Sequence, residues 1–294
     1  MPPPKGQPMT ELRKIETAPG LVFDAFVNGA ADAPLVLMLH GFAESFHMWR
    51  AQLPALAAAG FRAVAPSQRG YSPGARPDTA DPANYGFDLL MADALTMADA
   101  CGQARRRFHL VGHDWGGSIA WGIADRHADR LASLTVLSRP HPNAFNRALA
   151  LPDGDQAQRS RHHKAFLAPD AGAVLLANGG RRLRERLAAS GVPAAAVEQH
   201  LSVIGNASAM EAALTWYRAR GAIRAPLGQI KVPVLYVWGD ADDTVGRAAA
   251  EGTRDFVSGP YRFEILPGVG HFIADQAPDR LNDLLLAHLA AHPA

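Results

Sequence analysis

One turn limits what this chain can fold into. Phe108–Ile119 reads FHLVGHDWGGSI: a short apolar run stopping at Gly112, then an acidic residue, Trp115, two glycines and a helix-like segment. A strand that passes into a helix within so few residues brings two backbones together, and only glycine fits at Gly112 and Gly116. Asp114, between them, is pushed out on a strained tip at the carboxyl end of a strand. It also sits over a helix N-terminus, where unpaired N–H groups favour an anion. The pattern is G-x-D-x-G, the nucleophile elbow G-x-S-x-G with Asp where Ser is usual. Alone, it also describes an ordinary aspartate capping a helix, so the surroundings decide.

Those surroundings alternate strand and helix. Leu21–Val27 (LVFDAFV) alternates as a half-buried strand does, and Asn28-Gly29 predicts a hairpin turn after it. Leu35–Leu39 (LVLML) is continuously apolar, as a central parallel strand covered on both faces should be. Helix over Met48–Ala59, strand over Phe61–Ala65, helix over Phe87–Cys101, strand over Phe108–Val111, helix over Gly117–Arg126 and strand over Leu134–Leu137 follow in order. The rhythm stops at Arg139 and resumes with strand Val234–Trp238, helix Thr244–Val257, strand Tyr261–Leu266 and helix Ala277–Ala291. The expected fold class is α/β: a mostly parallel, doubly wound sheet with right-handed crossovers. Residues 1–138 and 230–294 form its core, and 139–229 form a helical cap inserted between core strands. The Pro-rich start, Met1 to about Leu12, reads as loosely ordered.

A chain of 294 residues has ample core for this, and a formal net charge of +1 gives no reason to invoke nucleic acid or a membrane surface. The single cysteine, Cys101, leaves no disulfide framework and no cysteine metal site, and the expected location is cytoplasmic.

Two further strand ends carry chemistry. Gly239-Asp240-Ala241-Asp242-Asp243 follows one strand and Pro267-Gly268-Val269-Gly270-His271 the next. Both lie at the edge where open α/β sheets place ligands. The order is nucleophile, acid, histidine: Asp114, an aspartate of the 240–243 cluster, then His271, which is the chain order of α/β-hydrolase triads. A carboxylate nucleophile makes an ester with the carbon it attacks. Breaking that ester needs activated water, so the histidine acts on water and not on the nucleophile.

With these residues in view, the chain resembles the α/β-hydrolases over nearly its whole length, and among them the epoxide hydrolases. The resemblance rests on His40-Gly41-Phe42, Gln68-Arg69-Gly70-Tyr71-Ser72, Gly112-His113-Asp114-Trp115-Gly116-Gly117, Trp216-Tyr217-Arg218, Gly239-Asp240-Ala241-Asp242 and Gly270-His271. It implies Asp242 as the orienting acid and the backbone N–H groups of Phe42 and Trp115 as oxyanion donors. It implies Tyr217 as a lid donor to the opening ring, with a second tyrosine near 160–166, where this chain has His162 and His163 instead. Adjacent helical positions differ by about 100°, so His162, or else His163, is expected to face the site. His40, Trp216 and Phe166 are expected on the substrate pocket, with Phe145, Met210 and Leu175 as further guesses. The resemblance implies a small-molecule epoxide substrate, neither metal nor organic cofactor, and a monomer or homodimer. Ala43 stands where the family often has Pro, Ser67 where it usually has Asp, and His113 is expected beneath the nucleophile.

The nearest rival is a haloalkane or haloacid dehalogenase sharing the Asp nucleophile, with the Trp115 indole as halide donor. Phe42 offers no second side-chain donor, and Trp115 stands where fluoroacetate dehalogenases carry Arg. A non-catalytic binding protein on the same scaffold has no need for Asp114, Asp242, His271 and Tyr217 together.

Overall fold

The computed structural model describes residues 9–104, 106–219 and 226–294. Residues 1–8 of the Pro-rich start, and 220–225 near the end of the expected cap, lie outside the described residues. The strands are β1 (Glu11–Ala18), β2 (Leu21–Asn28), β3 (Leu35–Leu39), β4 (Arg62–Pro66), β5 (Phe108–His113), β6 (Leu131–Leu137), β7 (Val234–Gly239) and β8 (Tyr261–Leu266). They form one sheet in the order β1-β2-β4-β3-β5-β6-β7-β8. The β1–β2 and β2–β4 pairs are antiparallel and the remaining pairs parallel.

The continuous apolar runs become the interior strands. Every residue of β3, β5, β6 and β7 is buried. Side chains alternate across the sheet: Leu35, Leu37 and Leu39 enter one core layer, Val36 and Met38 the other. Each such leucine or valine removed from water contributes about 1.5–3 kcal/mol. Helices cover both faces: α1 (Gln52–Ala58), α2 (Phe87–Ala98) and α3 (Trp115–Arg126) in the first half, with α10, α11 and α12 (Arg247–Gly252, Ile273–Gln276, Pro278–Ala291) in the second.

One expectation at the amino end does not hold, and one strand there was not expected. Asn28-Gly29 does not turn β2 onto β3, because β4 lies between them. A strand apolar on both faces belongs in the sheet interior, and β2 runs antiparallel to β4 beside it. The hairpin instead joins β1 to β2 at Pro19-Gly20, with Gly20 at φ 76°. β1 had no apolar alternation to betray it: it is a mostly exposed, charged edge strand, ELRKIETA.

Between β6 and β7 the chain runs through α4 (Pro142–Leu149), α5 (Gln156–Arg159), α6 (His162–Phe166), α7 (Ala171–Ala189), α8 (Ala194–Ile204) and α9 (Ala207–Ala219). α7 is interrupted by left-handed backbone at Asn178, Gly179 and Gly180. α4 is fastened to the core: His141 N–H donates to Thr253 Oγ1 at 3.1 Å, and Arg147 pairs with Asp255 at 2.6 Å. The later helices lie over the carboxyl ends of the strands, with Tyr217 and Phe166 against Phe42. No helix among the described residues is long and apolar enough to cross a membrane.

Candidate active site

The elbow comes first because its backbone allows few alternatives. β5 ends at His113, α3 begins at Trp115, and Asp114 between them has φ 50° and ψ −114°. A Cβ on Gly112 would lie 2.4 Å from the Gly116 carbonyl oxygen, and one on Gly116 would lie 2.3 Å from that of Leu39. Neither position admits a side chain. Gly116 N–H also donates to His40 O at 3.1 Å, which locks the elbow to the end of β3. Phe42 N–H donates to Asp114 Oδ1 at 3.1 Å. Burial works against the Asp114 charge, yet His271, His113, Arg139 and the Phe42 N–H outweigh it and hold the carboxyl at about 2. Asp114 is therefore ionised at neutral pH.

The tips of β7 and β8 bring Asp242 and His271 together. His271 Nδ1 lies 3.1 Å from Asp242 Oδ2, and its Nε2 lies 3.8 Å from Asp114 Oδ2. The second distance is too long for a hydrogen bond and leaves the imidazole aimed at the nucleophile without gripping it. Asp242 Oδ1 accepts from the N–H groups of Thr244 at 2.7 Å and Val245 at 3.0 Å. Burial opposes its charge, but His271, Ser138 and Thr244 N–H keep its pKa below the ordinary carboxylate value.

Ser138, at the tip of β6, is a residue the sequence did not announce. Its hydroxyl donates to Asp242 Oδ2 and lies 2.8 Å from His271 Nδ1. Its backbone has φ 63°, in a three-residue turn closed by Arg139 N–H to Leu137 O at 2.6 Å. Tyr236 Oη donates to the Ser138 carbonyl at 3.0 Å.

His113 lies beneath the nucleophile. Its Nδ1 is 2.7 Å from Glu44 Oε2, and its Nε2 is 2.9 Å from the His271 carbonyl. Burial disfavours its charge, but Glu44 outweighs burial and lifts its pKa to about 9. It is thus an imidazolium donating to the loop that carries His271. Glu44 also belongs to a buried group with His200 and Asp275, whose ligand atoms lie within 4.8 Å of one another. These charges already have partners: His113 beside Glu44, Arg50 on Asp275, and Ser45 N–H donating to His200 Nδ1 at 3.2 Å. Through His200 Nε2, 3.1 Å from Asp275 Oδ2, the group joins α8 to the core.

On the cap side, Tyr217 of α9 stands edge-on to Trp115 at 5.1 Å and to Phe42 at 5.3 Å. It lines a cavity of about 490 Å³ with Asp114, His271, Phe42, His162, Phe166 and Leu175. His163 lines a separate small pocket with Asp114, Trp115, Ser118 and Arg139. Both histidines of α6 therefore border the site, against the expectation of one, since they line two different pockets that share Asp114. His162 Nδ1 lies 2.9 Å from Arg159 O, so that nitrogen carries the proton. Burial depresses the His162 pKa, leaving Nε2 as an acceptor at neutral pH.

Two expected pocket residues are elsewhere. His40 is fully buried beneath the turn, its Nδ1–H donating to Gly41 O and its Nε2 accepting from Gln68 N–H; burial drives its pKa down to about 3. Trp216 faces away from the cavity and donates from Nε1 to Arg69 O at 3.1 Å, pinning α9 to the core. A tryptophan beside Tyr217 must point elsewhere on the helix. Phe145 lies under the Arg139 guanidinium at 4.2 Å, and Met210 is buried in the core.

Comparison with known proteins bears on this geometry. Residues 34–278 match the family model of the alpha/beta hydrolase fold. Epoxide hydrolase A of Mycobacterium tuberculosis is 31% identical over 302 residues, covering 89% of this chain and 92% of that protein. Epoxide hydrolase 3 of Xenopus tropicalis is 30% identical over 281 residues, covering 90% and 74%. A solved structure described among novel epoxide hydrolases from metagenomes of hot environments superposes with a TM-score of 0.83 at 30% identity, covering 97% of this chain and 100% of that one.

Proposed function

We propose, for a chain that belongs to the epoxide hydrolases of the alpha/beta hydrolase fold, that epoxides are opened to vicinal diols in two steps through a covalent ester on Asp114. The observation that carries the reading is the pairing of an ionised elbow carboxylate with a histidine 3.8 Å away, too far to bond it and close enough to act on water beside it.

In the first step an Asp114 oxygen attacks a ring carbon, the carbon–oxygen bond of the ring breaks, and the departing alkoxide takes a proton from Tyr217. The second donor is His163, since neutral His162 presents an acceptor to the cavity. In the second step His271 takes a proton from water, and the hydroxide adds to the ester carbonyl carbon. The resulting oxyanion is met by the N–H groups of Phe42 and Trp115, a contribution of about 3–4 kcal/mol per donor in comparable sites. Collapse releases the diol, its second hydroxyl protonated by His271. The proton left on the Asp114 carboxyl returns to the Tyr217 phenolate. Asp242 orients the imidazole and stabilises its cation. Residues 139–229 act as a cap on the core of 1–138 and 230–294, with α4 as its fixed end. The same reading has the protein work in the cytoplasm as a monomer or homodimer.

Replacing His271 by Gln should stop the second step alone. The protein should then gain the mass of one epoxide on a peptide containing Asp114. In heavy-oxygen water, the first turnover of the unsubstituted protein should place a light oxygen in the diol. A heavy oxygen on that first turnover, with no trapped ester, would overturn the mechanism.

A further inference from the structure

The small pocket beside the nucleophile holds a charge to which the two-step chemistry assigns no contact with substrate. Arg139 is 7% exposed, and its Nε donates to Ser118 Oγ at 2.9 Å, which fixes the plane of the guanidinium. Together with Asp114, Trp115, Ser118 and His163 it encloses a space of about 10 Å³, room for one water-sized group. A buried guanidinium is costly to desolvate, and its planar fork matches a carboxylate. The wider cavity repeats the sign at its mouth. Arg159, Arg161, Arg182 and Arg186 border it; Asp243 is the carboxylate facing them and is tied to Arg186 at 2.7 Å. Arg159 pairs with Asp155 at 2.6 Å, while Arg161 and Arg182 form no ion pair among the described residues. In a chain of net charge +1, this surplus is local and not a product of composition.

We propose that the Arg139 pocket receives one oxygen of a substrate carboxylate, so that the epoxides turned over are epoxy acids with the acid group on a ring carbon. The inference rests on the epoxide-opening reading above. An anionic substrate approaching an ionised Asp114 meets repulsion, and a cation set beside both carboxylates removes it. Arg139 already helps hold Asp114 ionised. The rim arginines raise the local concentration of an anion and speed its entry, an effect that salt screens. With the acid group in the small pocket, which His163 also lines, the ring oxygen is left to face Tyr217 in the adjoining cavity.

The test is a matched pair, 2,3-epoxypropanoate and 2,3-epoxypropanamide, alike in ring and shape and different in charge. Diol formation should show kcat/KM at least ten-fold higher for the acid at low ionic strength, and the ratio should shrink as salt is added. Arg139→Gln should lower that ratio at least ten-fold, and Arg139→Lys should restore part of it. If Arg139→Gln fails to fold, the unsubstituted protein still decides: the diol acid 2,3-dihydroxypropanoate should inhibit competitively at least ten-fold more tightly than its amide. A ratio near one, or one unchanged in folded Arg139→Gln, overturns the carboxylate site. If neutral epoxides still give diol in that case, the epoxide-opening reading stands. If no epoxide of either charge gives diol, that reading falls with it.

Discussion

The Ser138 hydroxyl is shared between Asp242 Oδ2, to which it donates, and His271 Nδ1 at 2.8 Å. A hydrogen bond to a charged group contributes about 1.5–3 kcal/mol, and this one acts on the orienting carboxylate and not on the nucleophile. Ser138→Ala should therefore slow ester hydrolysis about ten- to a hundred-fold while ester formation keeps its rate. Rapid-mixing single-turnover kinetics separate the two, and a slowed first step would show that the hydroxyl acts on ring opening instead. The residues that carry bond-making were legible in the chain because backbone geometry advertised them: glycines at 112 and 116 bracket a tip that leaves Asp114 exposed to attack. Ser138 and Arg139 were not, since Ser-Arg-Pro reads as any loop, and their roles exist only once β6 lies between β5 and β7. Ala43 differs in kind. Its φ of 69° is closed to a proline ring, so the residue sets a different turn and not merely a looser one.

At the scale of elements, strands with an apolar run were readable, at the β8 edge as in the interior, and the charged edge strand β1 was not. β3 and β8 match their apolar runs, since burial on both faces or one writes itself into composition, whereas β1 is held by its ladder to β2 and shows only charge. The cap was readable as helical, but the direction each helix presents to the cavity was not, because that depends on how α6 and α9 lean on the core. One contact sets the lean of α9. Gly70 has φ 87°, and a Cβ there would lie 2.8 Å from Ala212 Cβ on α9. Beside it, Arg69 O accepts from Trp216, one residue before Tyr217. Gly70→Ala should push α9 outward and carry the Tyr217 phenol off its line to the ring oxygen. The expected result is a ten-fold or greater fall in the ring-opening rate, with the lifetime of an ester already formed little changed. Equal loss in both steps would mean that the core beneath the cap had been disturbed as well.

For the whole molecule, buried histidines set how stability responds to pH, and they do so unequally on the two sides of neutrality. Burial depresses four of them below the ordinary 6.5: His40 to about 3, and His109, His141 and His288 each to about 4. The unfolded chain binds these protons first, so the stability they allow is complete above pH 6.5 and is lost as pH falls toward their folded values. His113 runs the other way. Its folded value of about 9 lies above 6.5, so its contribution is complete below 6.5 and is lost as pH rises through 9. Each proton steepens the profile by about 1.4 kcal/mol per pH unit; the acid side draws on several protons and the alkaline side, up to pH 9, chiefly on one. The carboxylates held low, Asp114 among them, add their loss only below the ordinary 3.8. Thermal unfolding followed from pH 5 to pH 9 should therefore peak close to 6.5, falling steeply toward acid and gently toward alkali. Glu44→Gln should flatten the gentle limb by removing the partner that keeps His113 charged, and leave the steep limb in place. A symmetrical profile, or an alkaline slope that survives Glu44→Gln, would mean that the proton beneath the nucleophile is not held by this pair.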